Sequence, residues 1–267
     1  MPTPSSNISG CVAARNSVKF KYPLRECIEA LLPFCDEVVL AYDHTTGDGT
    51  RELALQLKAE WGIVLKESVW DMGNMQRGLE IGHQSQVAVE ACSPHTQWRL
   101  CVQQDEAFHE EDAPAMRELV KSADASITGF DFVRPYFFGN LRTIRRDWSP
   151  KLTRLTRTGA NYTYDGFDGQ NCMATGPIRN EPSGIWLYHY SRIGDPELIA
   201  RRVRNVDSFF HAEENLPAEN ELPPYDFSTR EYDSYAITEH PREVPADLVE
   251  YRGGHPAPYA RLYKDFL

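Results

Sequence analysis

Four consecutive residues, Gln103-Gln104-Asp105-Glu106, follow the apolar run Leu100-Cys101-Val102. The run reads as a buried strand, so two amides and two acids are delivered at its carboxyl end. In open α/β sheets, ligands sit beyond the carboxyl ends of strands. A carboxylate there can hold a divalent cation, and such a cation commonly carries phosphate. A solvated acidic turn is the competing reading of the same residues. Two more strand ends carry polar groups: Ala14-Arg15-Asn16 closes the apolar stretch from Ile8, and Asp43 closes Glu37-Val-Val-Leu-Ala-Tyr42. Three such ends at one edge of a parallel sheet make a nucleotide-sized crevice. Asp43 is placed to accept hydrogen bonds from a base or ribose, and Ala14, Arg15, Asn16 and Asp48 join it as candidate donor-binding residues. Arg77, near the start of its helix, is placed to face a diphosphate with its planar guanidinium. Taken singly, either is more often a surface residue. Thr46-Gly-Asp-Gly49 matches neither a P-loop nor a GxGxxG turn, so neither a nucleotide triphosphatase nor a dinucleotide enzyme is supported.

The elements that must position these groups alternate. Pro23 opens a helix from Leu24 that stops near Pro33, and a helix over 51–60 follows a cap at Asp48 or Thr50. Ile63-Val-Leu65 is a third strand, 76–92 a helix, and Trp98–Val102 the fourth strand. Strands and helices in alternation imply an α/β fold with a parallel, doubly wound sheet over residues 1–125. Beyond 126 the pattern turns to strand-like segments, Ser126–Pro135 and Leu152–Thr156, and then to a helix from Pro196 capped by Asp195. Residues 212–247 are acidic and proline-rich, which suits an irregular wrap or lid.

Composition narrows the classes. At 267 residues the chain buries one large core, or one core with a small appendage. A net charge of −11 argues against a general nucleic-acid or membrane-surface binder. No apolar run approaches the roughly 18 to 20 residues that span a bilayer, and the opening Met-Pro-Thr-Pro-Ser-Ser-Asn lacks the regions of a secretory signal. The six cysteines show no metal spacing and several sit in apolar segments. A cytoplasmic protein is the simplest fit.

Longer stretches carry a resemblance. Ile8-Ser-Gly-Cys-Val-Ala-Ala-Arg-Asn16, Tyr22-Pro23, Cys35-Asp-Glu-Val-Val-Leu-Ala41 and Gly47-Asp-Gly-Thr-Arg-Glu-Leu53 resemble the opening of family 2-like GT-A glycosyltransferases. Val102-Gln-Gln-Asp-Glu-Ala-Phe-His-Glu110 resembles a branch whose metal motif reads Gln-Ala-Asp-Glu in place of Asp-x-Asp. The likeness continues, in order, through Trp148-Ser-Pro-Lys-Leu-Thr-Arg-Leu155, Tyr164-Asp-Gly-Phe167, Ile185-Trp-Leu-Tyr-His-Tyr190, Gly194-Asp-Pro-Glu197 and Tyr251-Arg-Gly-Gly-His-Pro256. The resemblance implies a GT-A fold and metal-dependent, usually inverting transfer of a sugar from a nucleotide diphosphate sugar, a UDP-sugar above all, with Mn²⁺ or Mg²⁺. It implies Asp105 as metal ligand and His189 as the downstream histidine that completes the shell. Gln103 stands where the first Asp usually sits, and an amide is a poorer ligand for a hard cation. Gln103 and Gln104 are instead suited to ribose or sugar hydroxyls. Inversion needs a carboxylate to deprotonate the acceptor. Asp165 and Asp168, in the glycine turn 164–169, are the candidates, and Asp165 matches the family pattern better.

One basic stretch stands out in an acidic chain: Arg142, Arg145, Arg146, Lys151, Arg154 and Arg157 against the single acid Asp147. Solvent-facing strand positions account for it most simply. An anionic acceptor, including a hydroxymethylated base in DNA, or the donor diphosphate are the functional readings. The expected organisation is a nucleotide-sugar-binding half over 1–125, an acceptor- and metal-completing half over 126–211, and a C-terminal wrap over 212–267. A non-catalytic sugar or nucleotide binder of the same fold stays open as the alternative. A nucleotidyltransferase would share the crevice but release pyrophosphate.

Overall fold

Six of the seven residues of β1 (Ile8–Ala14) are buried, with no polar alternation. A strand of that kind needs cover on both faces and belongs at the centre of a largely parallel sheet. The computed structural model, which describes residues 7–73, 78–146, 151–227 and 247–267, places it there. After β1 come α1 (Leu24–Leu31), β2 (Glu37–Asp43), α2 (Thr50–Trp61), β3 (Val64–Ser68), α3 (Leu79–Glu90) and β4 (Trp98–Gln103). Strand β1 is parallel to β4 on one side and to β2 on the other, with Cys11 opposite Cys101 and Val39. Strand β3 closes that edge, and its exposed Lys66 and Glu67 discourage pairing with another chain.

The second half of the chain extends the same sheet. β5 (Glu106–Ala107), α4 (Ala113–Ser122), β6 (Gly129–Val133), β7 (Tyr136–Phe138), β8 (Asn140–Arg145) and β9 (Lys151–Arg157) follow in order. Then come the short pair β10 (Tyr162–Thr163) and β11 (Met173–Ala174), β12 (Asn180–Trp186), β13 (Tyr188–Arg192), α5 (Pro196–Asp207), β14 (Leu248–Glu250) and α6 (Ala257–Leu262). The order across the large sheet is β12-β6-β9-β4-β1-β2-β3, with β9 antiparallel to both its neighbours. The chain is therefore α/β, with a mainly parallel central sheet flanked by helices. A second sheet, β14-β8-β7-β13-β5, packs a separate aromatic core around Phe137, Tyr190 and Tyr259. The chain steps between the two sheets at Gln104-Asp105, because β4 lies in one and β5 in the other.

Some local expectations differ from what is found. The α2 cap is Gly49, in a left-handed conformation at φ 99°, and no side chain caps the helix. Asp48 instead accepts hydrogen bonds from the backbone of Val18 and Lys19 and from Thr50, tying the loop after β1 to the start of α2. Asp195 occupies the α5 cap position without a side-chain hydrogen bond to the helix. Within 212–227 two short 3-10 turns form, and Tyr225 and Phe227 pack on Phe138 beside α5. The rest of the expected lid, 228–246, lies outside the described residues.

One close approach fixes a loop of interest. A Cβ on Gly82, in α3, would lie 2.0 Å from the Phe167 carbonyl oxygen and 2.4 Å from that of Tyr164. Only glycine lets the helix seat the turn 164–169 that carries Asp165 and Asp168.

Candidate functional site

Strand pairing, not sequence proximity, brings Asp105 and His189 together. β5 runs antiparallel to β13, and their register sets His189 opposite Glu106. The Asp105 carbonyl accepts from the Tyr190 N–H at 3.0 Å, which closes the turn against the strand. His189 Nε2 then lies 3.5 Å from Asp105 Oδ1, with both side chains buried. Burial pushes the Asp105 pKa up, but His189, Arg202 and Arg134 outweigh it and hold the carboxyl below the usual carboxylate range. Burial, with the Arg134 charge behind it, pushes the His189 pKa down, so the imidazole is neutral at neutral pH. Its ring rests on Tyr136 at 4.7 Å, and its buried Nδ1 has no hydrogen-bond partner among the described residues.

A neutral imidazole beside an ionised carboxylate is a workable pair of donors for a divalent cation. The mixed nitrogen and oxygen set suits Mn²⁺ better than Mg²⁺, provided phosphate oxygens and water supply the remaining positions. Among the described residues no group of three His, Cys, Asp or Glu side chains is placed to hold an ion alone. The residues fit a cation shared with a phosphate-bearing ligand.

Behind this pair lies a charge cluster that the sequence did not single out. The Glu106 carboxylate is fully buried; its Oε1 accepts from Arg154 at 2.8 Å and Arg134 at 3.2 Å. Its Oε2 accepts the Gln103 N–H at 2.9 Å. Burial opposes this charge, yet the two guanidiniums prevail and keep the Glu106 pKa low. Arg154 is only 1% exposed, and the Nε atoms of both arginines have no partner among the described residues. The cluster stiffens the β4–β5 turn from which Asp105 projects. Arg154 comes from β9, which pairs with β4, and Arg134 follows β6 on the far side of β9. Sheet order is what gathers them.

Asp105, His189 and the two arginines line one cavity of about 900 Å³, while Glu106 lies behind its wall. Its wall includes Asp105, His189, Gln103, Gln104, Arg134 and Arg154, with Arg15 on the β1 side. Trp70, Phe209 and Phe210 supply an aromatic portion that the sequence reading missed. A Cβ on Gly78 would strike the Phe210 ring at 2.7 Å, so glycine lets that ring close in. Gln104 is committed in part, since its Oε1 accepts from Ser17 Oγ at 2.6 Å.

Other expected residues stand elsewhere. Asp43 is buried off the cavity wall, with Arg15 Nε on one oxygen at 3.0 Å and the Thr45 N–H and hydroxyl on the other. Ala14, Asn16 and Asp48 are also off the wall, although the neighbouring Ala13 lines it. Asp168 lines the cavity, and its Oδ1 accepts the Gln170 N–H. Asp165 does not; its side chain is 60% exposed and pairs with His83 at 3.1 Å. Arg77 lies outside the described residues.

The basic stretch does not form one surface. Arg154 is consumed by Glu106, and Arg157 stacks over Trp98 while donating to the carbonyls of Ile127 and Asp124. Arg145 is buried, and Arg146, 68% exposed, pairs with Asp247. The solvent-facing reading is therefore wrong for Arg154 and Arg145: both are buried, and Arg154 borders the cavity beside Glu106. All six cysteines are free thiols. No helix among the described residues is long and apolar enough to cross a membrane.

Comparisons with known proteins return solved structures only. No family model and no curated protein matches the chain. The crystal structure of S. aureus TarS 1-349 shares 13% identity at a TM-score of 0.43, covering 76% of this chain and 64% of that one. The same fragment in complex with UDP gives 14% and 0.39 over the same shares. Mannosyltransferase PcManGT from Pyrobaculum calidifontis, in complex with GDP-Man and Mn²⁺, gives 16% and 0.37 over 49% of this chain and 38% of that one. The chain thus spans less than two thirds of each of these structures.

Proposed function

We propose that the chain is a metal-dependent, inverting glycosyltransferase of the GT-A type, in the family 2-like branch with the Gln-x-Asp-Glu motif. It moves a hexosyl or pentosyl unit from a nucleotide diphosphate sugar, a UDP-sugar first among them, to an acceptor hydroxyl. The observation that carries this reading is the Asp105–His189 pair, 3.5 Å apart on the wall of a cavity large enough for such a donor.

Asp105 and His189 would hold Mn²⁺ or Mg²⁺. When bound, the cation offsets the charge that develops on the departing diphosphate. Arg134 and Arg154, fixed by Glu106, add positive potential along the same wall. Gln103 and Gln104 orient sugar or ribose hydroxyls. Asp168 takes the proton from the acceptor hydroxyl while that oxygen bonds to the anomeric carbon. The bond from that carbon to the phosphate oxygen breaks, and its electrons leave with the nucleoside diphosphate. Asp168 is chosen over Asp165 because it is the one on the cavity wall.

In this reading residues 1–125 carry the nucleotide, 126–211 complete the metal site and shape the acceptor side, and 212–267 wrap the whole. Arg146 and Arg154 line the donor cavity and Arg157 is spent on internal carbonyls, which favours a saccharide acceptor over hydroxymethylated DNA. Six free thiols and a nucleotide-sugar donor suit the cytoplasm.

A panel of UDP-, GDP-, ADP- and dTDP-sugars, titrated with and without Mn²⁺, tests the proposal. A donor at about 100 times its Kd should add about 2.7 kcal/mol to stability, only with the cation, and nucleoside diphosphate should be released. Binding without release would make the chain a non-catalytic binder. Release of pyrophosphate would make it a nucleotidyltransferase.

A further inference from the structure

The C-terminal segment reaches the back of the cation site without touching the cavity. Tyr259, on α6, is fully buried, and its hydroxyl donates to the Glu106 carbonyl at 3.1 Å. Its ring stacks on Tyr190 with centroids 4.3 Å apart. Tyr190 is the residue whose N–H holds the Asp105 carbonyl. Consecutive carbonyls of the Asp105-Glu106 step are thus held, one directly by Tyr259 and one by the strand residue on which Tyr259 rests. The same strap is anchored twice more. His255 bonds the Tyr190 hydroxyl through Nδ1 and the Leu141 carbonyl through Nε2, each at 2.9 Å, and Arg261 pairs with Glu29 of α1.

We propose that Tyr259 is a positioning residue for the cation site: its hydroxyl sets the backbone of the Asp105-Glu106 step, and with it the approach of the Asp105 carboxylate to His189. This rests on the glycosyltransferase reading above and adds the last turns of the chain to its machinery. The physical reason is that Asp105 sits where the chain leaves one sheet for the other, a two-residue step held by few ladder bonds of its own. A fixed hydrogen bond at that step narrows the conformations from which a ligand must be selected.

Tyr259→Phe removes one oxygen and keeps the ring and its stacking. Tyr251→Phe is the control, since Tyr251 lies on the same strap and its hydroxyl bonds Gly254 and Tyr188 but not the step. Mn²⁺ affinity in the presence of UDP, read by the loss of the free-ion electron paramagnetic resonance signal, should weaken about fivefold in Tyr259→Phe. UDP binding without Mn²⁺ should stay within about twofold, and Tyr251→Phe should match the wild type on both readings. Equal Mn²⁺ affinity in Tyr259→Phe and wild type overturns the proposal. So does equal weakening in both variants, or failure of Tyr259→Phe to fold, since either makes the strap a general scaffold. If the wild-type chain binds no Mn²⁺ with UDP, the glycosyltransferase reading itself falls and takes this one with it.

Discussion

Two strands of one sheet end near an aspartate, and the two carboxylates have opposite fates. Asp43, closing β2, is 1% exposed and saturated: Arg15 takes one oxygen and Thr45 the other. Asp105, just past β4, is 7% exposed and lines the cavity, with the His189 imidazole 3.5 Å from its Oδ1. Residue type and topological place are alike; what differs is whether neighbours consume the lone pairs. A carboxylate that keeps unspent acceptor capacity on a cavity wall can bind a ligand, while a saturated one holds the fold.

The largest expected effect breaks or keeps this contrast directly. Asp105→Asn removes the charge with little change of shape and should weaken Mn²⁺-dependent UDP binding by about 100-fold or more. Asp43→Asn should leave that binding within about threefold and cost about 1–2 kcal/mol of stability. Calorimetric titration and urea unfolding of the two variants decide the matter. If Asp43→Asn loses the nucleotide and Asp105→Asn does not, the assignment is reversed.

Glu106 sharpens the comparison from the other side, because it is as saturated as Asp43 but in a far more charged setting. Removing one partner of a buried ion pair leaves uncompensated charge and typically costs about 3–5 kcal/mol. Glu106→Gln strands two buried guanidiniums, so its urea midpoint should fall by that equivalent with an unchanged slope. A loss below about 1 kcal/mol would mean that the arginines find other acceptors, and Glu106 would not be what stiffens the turn.

The same contrast shows what the sequence made legible. The alternation of apolar runs and helices is local, so β1 to β4 and α1 to α3 were readable from spacing alone. So was Asp105 as a strand-end acid. The saturation of Asp43 was not readable, because it follows from the β1–β2 register, which, with Ala14 opposite Tyr42, sets Arg15 beside Asp43 one step on. Nothing local announces Glu106 with Arg134 and Arg154. Their meeting needs β9 to insert antiparallel between β4 and β6, which is a property of sheet order. For the same reason Arg154 reads as one more exposed cation in a basic stretch. His189 was named through resemblance; only the β5–β13 register gives the physical reason for its place beside Asp105.

The smallest expected effect concerns Asp48, a third carboxylate, which lies off the cavity wall and accepts from the backbone of Val18, Lys19 and Thr50. Burial raises its pKa, but hydrogen bonds from the Lys19 and Thr50 backbone and from the Thr46 and Thr50 hydroxyls outweigh that and hold it below the ordinary aspartate range. A pKa depressed in the folded state contributes stability that is full above the unfolded value of about 3.9 and drains away as pH falls through the folded value. Asp48→Asn should therefore be less stable than wild type at pH 7. The difference should narrow once the pH drops below about 4, because the wild-type carboxylate is then becoming protonated too. Urea midpoints for both proteins across that range test the sign. A gap that stays constant with pH would assign the loss to altered hydrogen-bond geometry, with no part played by the charge.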